Sequence, residues 1–323
     1  MNSRFCTASV IFSACLIGNA QAQAFPHKLV KISAPYSSGA APAIFTRLLA
    51  DKLARSWGQQ VIVDARPGAS GFIAIDALKK AAPDGHEILV VSNAHVAINP
   101  ALYRSLPYDP EKDFVPAAML YRTPFFVTVA AAGPFQNVPA LIAAARADPG
   151  KISYGSSYVG SPSHLGAADF AYRTGTSMIH APYKDQSQMY VAIANGDLGW
   201  AFSTLGSALP LIKAGRLRLI AIAARQRLKI LPEVPTVDEA GGPAGFEVEG
   251  WLALVVPRGT PPEAVRRINA DVNRQLADPE LLERMQAFGF EPAPGTPEQL
   301  AELFRADAKK YGELVRRSGA SAD

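Results

Sequence analysis

Apolar positions along the chain come in short runs, each followed by small or turn-forming residues and then by apolar residues at helical spacing. The first such unit is Lys28 to Ala50, KLVKISAPYSSGAAPAIFTRLLA. Leu29, Val30 and Ile32 predict a short buried strand, and Pro35 ends it. Ser37, Ser38 and Gly39 open a loop, and apolar residues resume at helical spacing at Ile44, Leu48 and Leu49. Gln60 to Val63 predicts a second strand, followed by Arg66-Pro67-Gly68-Ala69-Ser70-Gly71 and a helical run to about Ala81. After the turn Pro83-Asp84-Gly85, Glu87 to Val91 predicts a third strand running into Ser92-Asn93-Ala94-His95. This βαβαβ rhythm predicts a parallel sheet with helices on its faces, whose ligand crevices lie at the carboxyl ends of the strands. The loops at Ser37, Gly68 and Asn93 all fall on that edge. The first turn of a helix also offers free N–H groups and the positive end of its dipole, a natural seat for an anion.

Leu106 to Phe114 is a proline-rich, charged surface connection, and Pro124 to Ala130 is a strand carrying the chain into a second unit. There the opening pattern recurs, with Lys151 to Tyr154 as strand, Gly155 to Ser163 as a small-residue loop and Leu165 to Tyr172 as helix. A strand near Met178 to Ala181 leads to Pro182-Tyr183-Lys184-Asp185 and a helix to about Asn195. Trp200 to Phe202, entering Ser203-Thr204, and Leu217 to Ala223 are further strands. Val248 to Val256 brings the chain back. Pro261 to Gln275, Pro279 to Ala287 and Pro297 to Arg317 predict amphipathic helices with proline near their starts. The expected architecture is α/β with two lobes, each a mostly parallel sheet flanked by helices. Residues 25–124 and 248–323 form one lobe and 125–247 the other, with two crossings suited to hinge closure on a ligand.

Composition narrows this picture. The chain has 323 residues, long enough for two cores. Residues 1–24 carry one charge, Arg4, an apolar stretch too short to span a membrane, and small-residue cleavage sites at Ala22 and Ala24, which predicts a secretory signal peptide. Both cysteines, Cys6 and Cys15, lie in that leader, so the mature chain has no disulfide or thiolate chemistry. A lipid anchor at Cys15 is a competing fate for the leader, since Phe12-Ser13-Ala14-Cys15 loosely follows a lipoprotein processing site. Setting Arg4 aside leaves 31 basic against 28 acidic residues, dispersed along the chain. That balance gives no sign of a nucleic-acid surface.

Catalytic patterns are missing. No G-x-S-x-G, G-x-G-x-x-G or P-loop sequence occurs, and His27, His86, His95, His164 and His180 form no close metal pair. Ser161 and His164, three apart, resemble a nucleophile and base but lack an orienting acid. A helix-capping serine beside a packed or cleft-facing histidine accounts for them better. Trp251 fits a core anchor at a domain junction more readily than a ligand platform. Tyr183 and Lys184 fit a cleft loop or a solvated turn, and Arg66 a carboxylate partner or a surface brace.

The ordered series Ala34-Pro35-Tyr36-Ser37-Ser38-Gly39, Arg66-Pro67-Gly68-Ala69-Ser70-Gly71, Pro83-Asp84-Gly85, Asn99-Pro100, Leu106-Pro107-Tyr108-Asp109-Pro110, Asp113-Phe114, His164-Leu165, Pro182-Tyr183-Lys184, Ile212-Lys213-Ala214-Gly215 and Leu231-Pro232-Glu233-Val234-Pro235-Thr236 resembles the extracytoplasmic Bug-type receptors of tripartite tricarboxylate transporters. The match covers essentially the whole mature chain. The resemblance implies a two-lobe periplasmic-binding-protein fold, a monomer in the periplasm, no catalysis, and no cofactor or metal. It also implies a small organic carboxylate in the interlobe cleft, delivered to a two-component membrane permease. A receptor of the same fold that signals through a membrane sensor is the alternative.

The resemblance places the ligand grip at Tyr36, Ser37, Ser38, Gly39, Ala40 and Ala43 in the first lobe and at Ser156, Ser157, Gly160 and Ser161 in the second. Asn93, His164, Tyr183, Asp185 and Ser203 complete the expected site. Bridging waters suit such a grip. Ala40 and Ala43 replace the second glycine and the acid of the usual Gly-Gly-x-x-Asp, Ser203 replaces an acid after Phe202, and Asp185 replaces a glycine after Lys184. Losing two cleft carboxylates predicts a ligand without an obligatory amine, unless Asp185 turns inward to replace them, because an ammonium left unpaired in a closed cleft is costly.

Overall fold

A computed structural model describes residues 25–322 apart from Lys184. The leader, with Cys6 and Cys15, and the Lys184 position therefore lie outside the described residues. In chain order the elements are β1 Val30–Ala34, α1 Ala41–Trp57, β2 Val61–Ala65, α2 Phe72–Lys79, β3 Glu87–Ser92, α3 Asn99–Leu102, α4 Pro110–Asp113 and β4 Phe114–Pro124. They continue with β5 Phe126–Ala130, α5 Val138–Ala147, β6 Ser153–Ser156, α6 Pro162–Thr174, β7 Ile179–Pro182, α7 Gln186–Asn195, β8 Trp200–Ser203, α8 Leu205–Lys213 and β9 Leu217–Ile222. The chain closes with β10 Glu249–Pro257, α9 Pro262–Gln275, α10 Pro279–Phe288, β11 Glu291–Pro292 and α11 Pro297–Ser318.

Two sheets result, ordered β11-β4-β10-β3-β1-β2 and β7-β6-β8-β5-β9. Each contains the expected parallel core, β3-β1-β2 in one and β7-β6-β8 in the other. Each is mixed rather than mostly parallel, because strands that leave a lobe and return to it must run both ways. Thus β10 pairs antiparallel with β3 and β4, and β5 antiparallel with β8 and β9. The long strand β4 has no counterpart among the predicted elements. Helices α9, α10 and α11 begin within a residue of their predicted starts.

Side chains in the strands alternate between faces, as a period of two requires. In β10, Leu252, Leu254 and Val256 join one apolar cluster while Trp251, Ala253 and Val255 join another, so both faces of the first sheet are covered. Trp251 is 2% exposed, and its indole nitrogen donates to Asp307 Oδ2 at 2.6 Å, the core-anchor role. In β8, Trp200 and Phe202 pack in one cluster and Ala201 in another.

The crossings are tied together by backbone. Phe125 N donates to Val248 O at 3.0 Å, Val248 N to Ala223 O at 2.9 Å, and Ala223 N to Phe125 O at 2.8 Å. Among the described residues no helix is long and apolar enough to cross a membrane.

Candidate functional site

Strands β1, β6 and β8 each end in a short loop that enters a helix, and all three helix starts reach one cavity of about 550 Å³ between the sheets. Its first wall comes from the β1–α1 loop and its helix, through Tyr36, Gly39, Ala40, Ala41, Pro42 and Ile44. Ala40 occupies the cap position of α1 and no side chain caps that helix; Pro42 has no N–H and the Ala43 N–H donates to Ala40 O at 2.9 Å, which leaves Ala41 to offer a first-turn N–H. Burial holds the Tyr36 hydroxyl neutral well above its ordinary range, although the Ser92 hydroxyl hydrogen-bonds to it.

The facing wall comes from the second lobe, through Ser157, Tyr158, Ser161, Pro162 and Ser163 at α6, Gln186 at α7, and Thr204, Gly206 and Ser207 at α8. Here the helices are capped unequally. Ser161 caps α6 by accepting from His164 N at 3.2 Å, and Asp185 caps α7 by accepting from Ser187 N at 2.8 Å. Thr204 makes no such bond and instead pairs its hydroxyl with Ser207 Oγ at 2.8 Å. Gln186 Nε2 donates to Ser157 Oγ at 2.6 Å. The base of the cavity is aromatic, formed by Tyr121, Phe125, Phe288 and Phe290 with Thr123 among them. Tyr121 and Phe290 stack with ring centroids 3.8 Å apart. None of the described lining residues is charged.

Of the residues expected to hold a ligand, Tyr36, Gly39, Ala40, Ser157 and Ser161 line this cavity. The others do not line it, and Ser37 and Ser38 are exposed. Ser37 O accepts from Ala40 N at 2.9 Å and Ser38 O from Arg47 Nη2 at 2.5 Å, which shapes the loop. Ala43 is fully buried. Asn93 Nδ2 donates to Glu249 O at 3.0 Å and to the Tyr311 hydroxyl at 2.9 Å, bracing the returning crossing. Ser156 Oγ donates to Tyr158 O at 3.1 Å and lies 2.7 Å from His180 Nε2.

Gly160, at a φ of +84°, lies against Leu102 of the first lobe. His164 accepts from Gly160 N through Nδ1 at 3.0 Å, and its ring stacks on His180 with centroids 3.8 Å apart. Its ring is thus engaged away from the Ser161 hydroxyl, and burial followed by the neighbouring His180 pushes it down to about 4. Tyr183 N donates to Ser156 O at 2.9 Å, and its half-buried ring packs on the α7 cluster. Ser203 is fully buried with its hydroxyl on Thr128 Oγ1. Asp185 spends its carboxylate on the α7 cap.

The aromatic base was not anticipated from the sequence. Its one local signal is Phe288-Gly289-Phe290, a glycine-ended helix with an aromatic on each side of the stop; Gly289 has a φ of +69°. Among the described residues no group of three or more His, Cys, Asp or Glu side chains is placed to hold a metal ion.

Residues 45–320 match the family model described as the tripartite tricarboxylate transporter family receptor. A Pseudomonas sp. (strain P51) protein from the tcbD-tcbE intergenic region is 35% identical over 292 residues, which cover 90% of this chain and 87% of that one. A Rhodopseudomonas palustris protein solved with adipate is 31% identical with a TM-score of 0.82, covering 92% of this chain and 99% of its own. MatC from the same organism, solved with malate, is 26% identical with a TM-score of 0.77, covering 90% and 100%. The chain belongs to the tripartite tricarboxylate transporter receptor family, whose members are solute-binding receptors and not enzymes.

Proposed function

We propose that the chain is a periplasmic receptor that captures a small organic carboxylate in the cavity between its lobes and delivers it to a two-component membrane permease of the tripartite tricarboxylate type. Residues 1–24 would direct export and be removed near Ala22 or Ala24. The observation that carries the reading is the cavity itself, in which helix starts from both lobes and a row of hydroxyls meet without a described charged side chain. Such a site binds an anion by N–H groups and helix dipoles.

The carboxylate would sit between Gly39 to Ala41 at α1 and Ser157 and Ser161 at α6, with Tyr36 beside it. Adipate and malate, held by the two related proteins, are the first ligands to test. An ammonium has no described carboxylate to meet there, because Ser203 is buried and Asp185 is committed to α7. Calorimetric titration of the mature protein tests this. Amine-free di- and monocarboxylates are expected to bind while aspartate and glutamate do not. Tight binding of the two amino acids alone would overturn it.

A further inference from the structure

The loop that joins β6 to α6 presents Ser157, Tyr158 and Ser161 to the cavity, yet its apex, Tyr158 and Val159, is exposed. Fixing such a segment costs conformational entropy, which ligand binding must supply unless the fold has already done so. Two histidines that do not line the cavity hold the loop at both ends. From α6, His164 Nδ1 accepts from Gly160 N at 3.0 Å, while the His164 backbone N donates to Ser161 Oγ at 3.2 Å. From β7, His180 Nε2 lies 2.7 Å from Ser156 Oγ, whose single proton goes to Tyr158 O at 3.1 Å, so the ring nitrogen is the donor. The two rings stack with centroids 3.8 Å apart, and Tyr154 stacks on His180 at 5.1 Å. Burial lowers the proton affinity of both, so each stays neutral at pH 7 with the one donor and one acceptor that this arrangement uses. Ser161 Oγ accepts from His164 N, and Ser157 Oγ accepts from Gln186 Nε2 at 2.6 Å, which leaves each hydroxyl its proton to donate.

We propose that His164 and His180 are positioning residues: stacked on each other, one accepting the Gly160 N–H and the other donating to Ser156 Oγ, they set the β6–α6 loop in its ligand-binding form before the ligand arrives. This role rests on the receptor reading above. The pair acts through Ser157 and Ser161, which line the cavity where the rings do not. A loop that held its binding form only about a tenth of the time would weaken the apparent affinity roughly tenfold.

Paired variants separate hydrogen bonding from packing. His164→Asn keeps an acceptor near the Nδ1 position and His180→Gln a donor near Nε2, whereas His164→Leu and His180→Leu keep apolar bulk alone. Adipate and malate are titrated calorimetrically into the wild type and each variant, with urea midpoints measured alongside. For the acid that the wild type binds more tightly, each Leu variant is expected to bind roughly tenfold or more weakly, and the Asn and Gln variants within about threefold of wild type. Folded Leu variants with wild-type affinity overturn the role. So do Asn and Gln variants as weak as the Leu ones, since ring packing alone would then matter. Hydrogen exchange of the Gly160 amide in the ligand-free wild type decides even if the variants do not fold. Slow exchange supports a loop set in advance, and unprotected exchange until ligand is added overturns it. Should the wild type bind neither acid, the receptor reading fails for these ligands while the Gly160 exchange still decides the loop.

Discussion

Two histidines give a pH dependence that can be worked out from their surroundings. His95 is 5% exposed and His164 is 6% exposed, and each accepts a backbone N–H through Nδ1, from Ser92 and from Gly160, both at 3.0 Å. Burial pushes both rings from the ordinary 6.5 down to about 4; for His164 the neighbouring His180 adds to it. Between those values the unfolded chain binds protons that the folded chain refuses, so stability is complete above about pH 6.5 and falls on acidification toward pH 4. At pH 5.5 each ring has lost about 1.4 kcal/mol, or about 3 kcal/mol for the pair, approaching about 3 kcal/mol apiece at pH 4. His180, also lowered by burial, acts in the same direction. Urea titrations at pH 7.5, 6.5 and 5.5 should show falling midpoints at constant slope, ahead of carboxylate protonation. His95→Gln/His164→Gln should start less stable and fall by much less over that range. A wild-type midpoint that does not move between pH 7.5 and 5.5, or a double variant as steep as wild type, would refute the reasoning.

Ser161→Ala removes both the cap of α6 and a hydroxyl from the cavity. It should cost about 1 kcal/mol in urea unfolding and a further ten- to hundredfold in carboxylate affinity by calorimetry. Gly160→Ala places a Cβ 2.4 Å from Leu102 Cδ2 at a φ of +84°, and should destabilise by about 2 to 4 kcal/mol. Adding Leu102→Ala should cost less than the two separate losses combined, which a double-mutant cycle reads directly. Asp271, 1% exposed, accepts from Trp57 Nε1 at 2.7 Å, Arg267 Nε at 2.5 Å and Arg274 Nη1 at 2.8 Å. Asp271→Ala should therefore cost about 3 kcal/mol in thermal or urea unfolding, whereas loss of the exposed Lys80–Asp76 pair should cost under about 1 kcal/mol.

What the sequence makes legible is local. The β1–α1 unit and its counterpart at α6 are visible because a strand, a small-residue loop and a helical spacing follow within about twenty residues. Strand β4 is hidden because Pro116 interrupts it, and proline argues against a central strand. The fold accommodates Pro116 opposite Val255, at a shift of register in the β4–β10 ladder. The aromatic base shows locally only as Phe288-Gly289-Phe290, because Phe288 and Phe290 reach the α1 side only through the fold.

Placing a residue on a loop also leaves open which way its side chain points, and here the sheet decides. In β8, Trp200 and Phe202 face one side and Ala201 the other, so Ser203 turns inward, where it meets Thr128. Thr204, one position later and free of that alternation, is the residue that reaches the cavity. The same contrast separates Asn93, drawn onto Glu249 and Tyr311, from Ser161, held at a helix start beside the cavity. The candidate site is thus set less by which polar residues the loops contain than by which of them the strands and braces leave unspent.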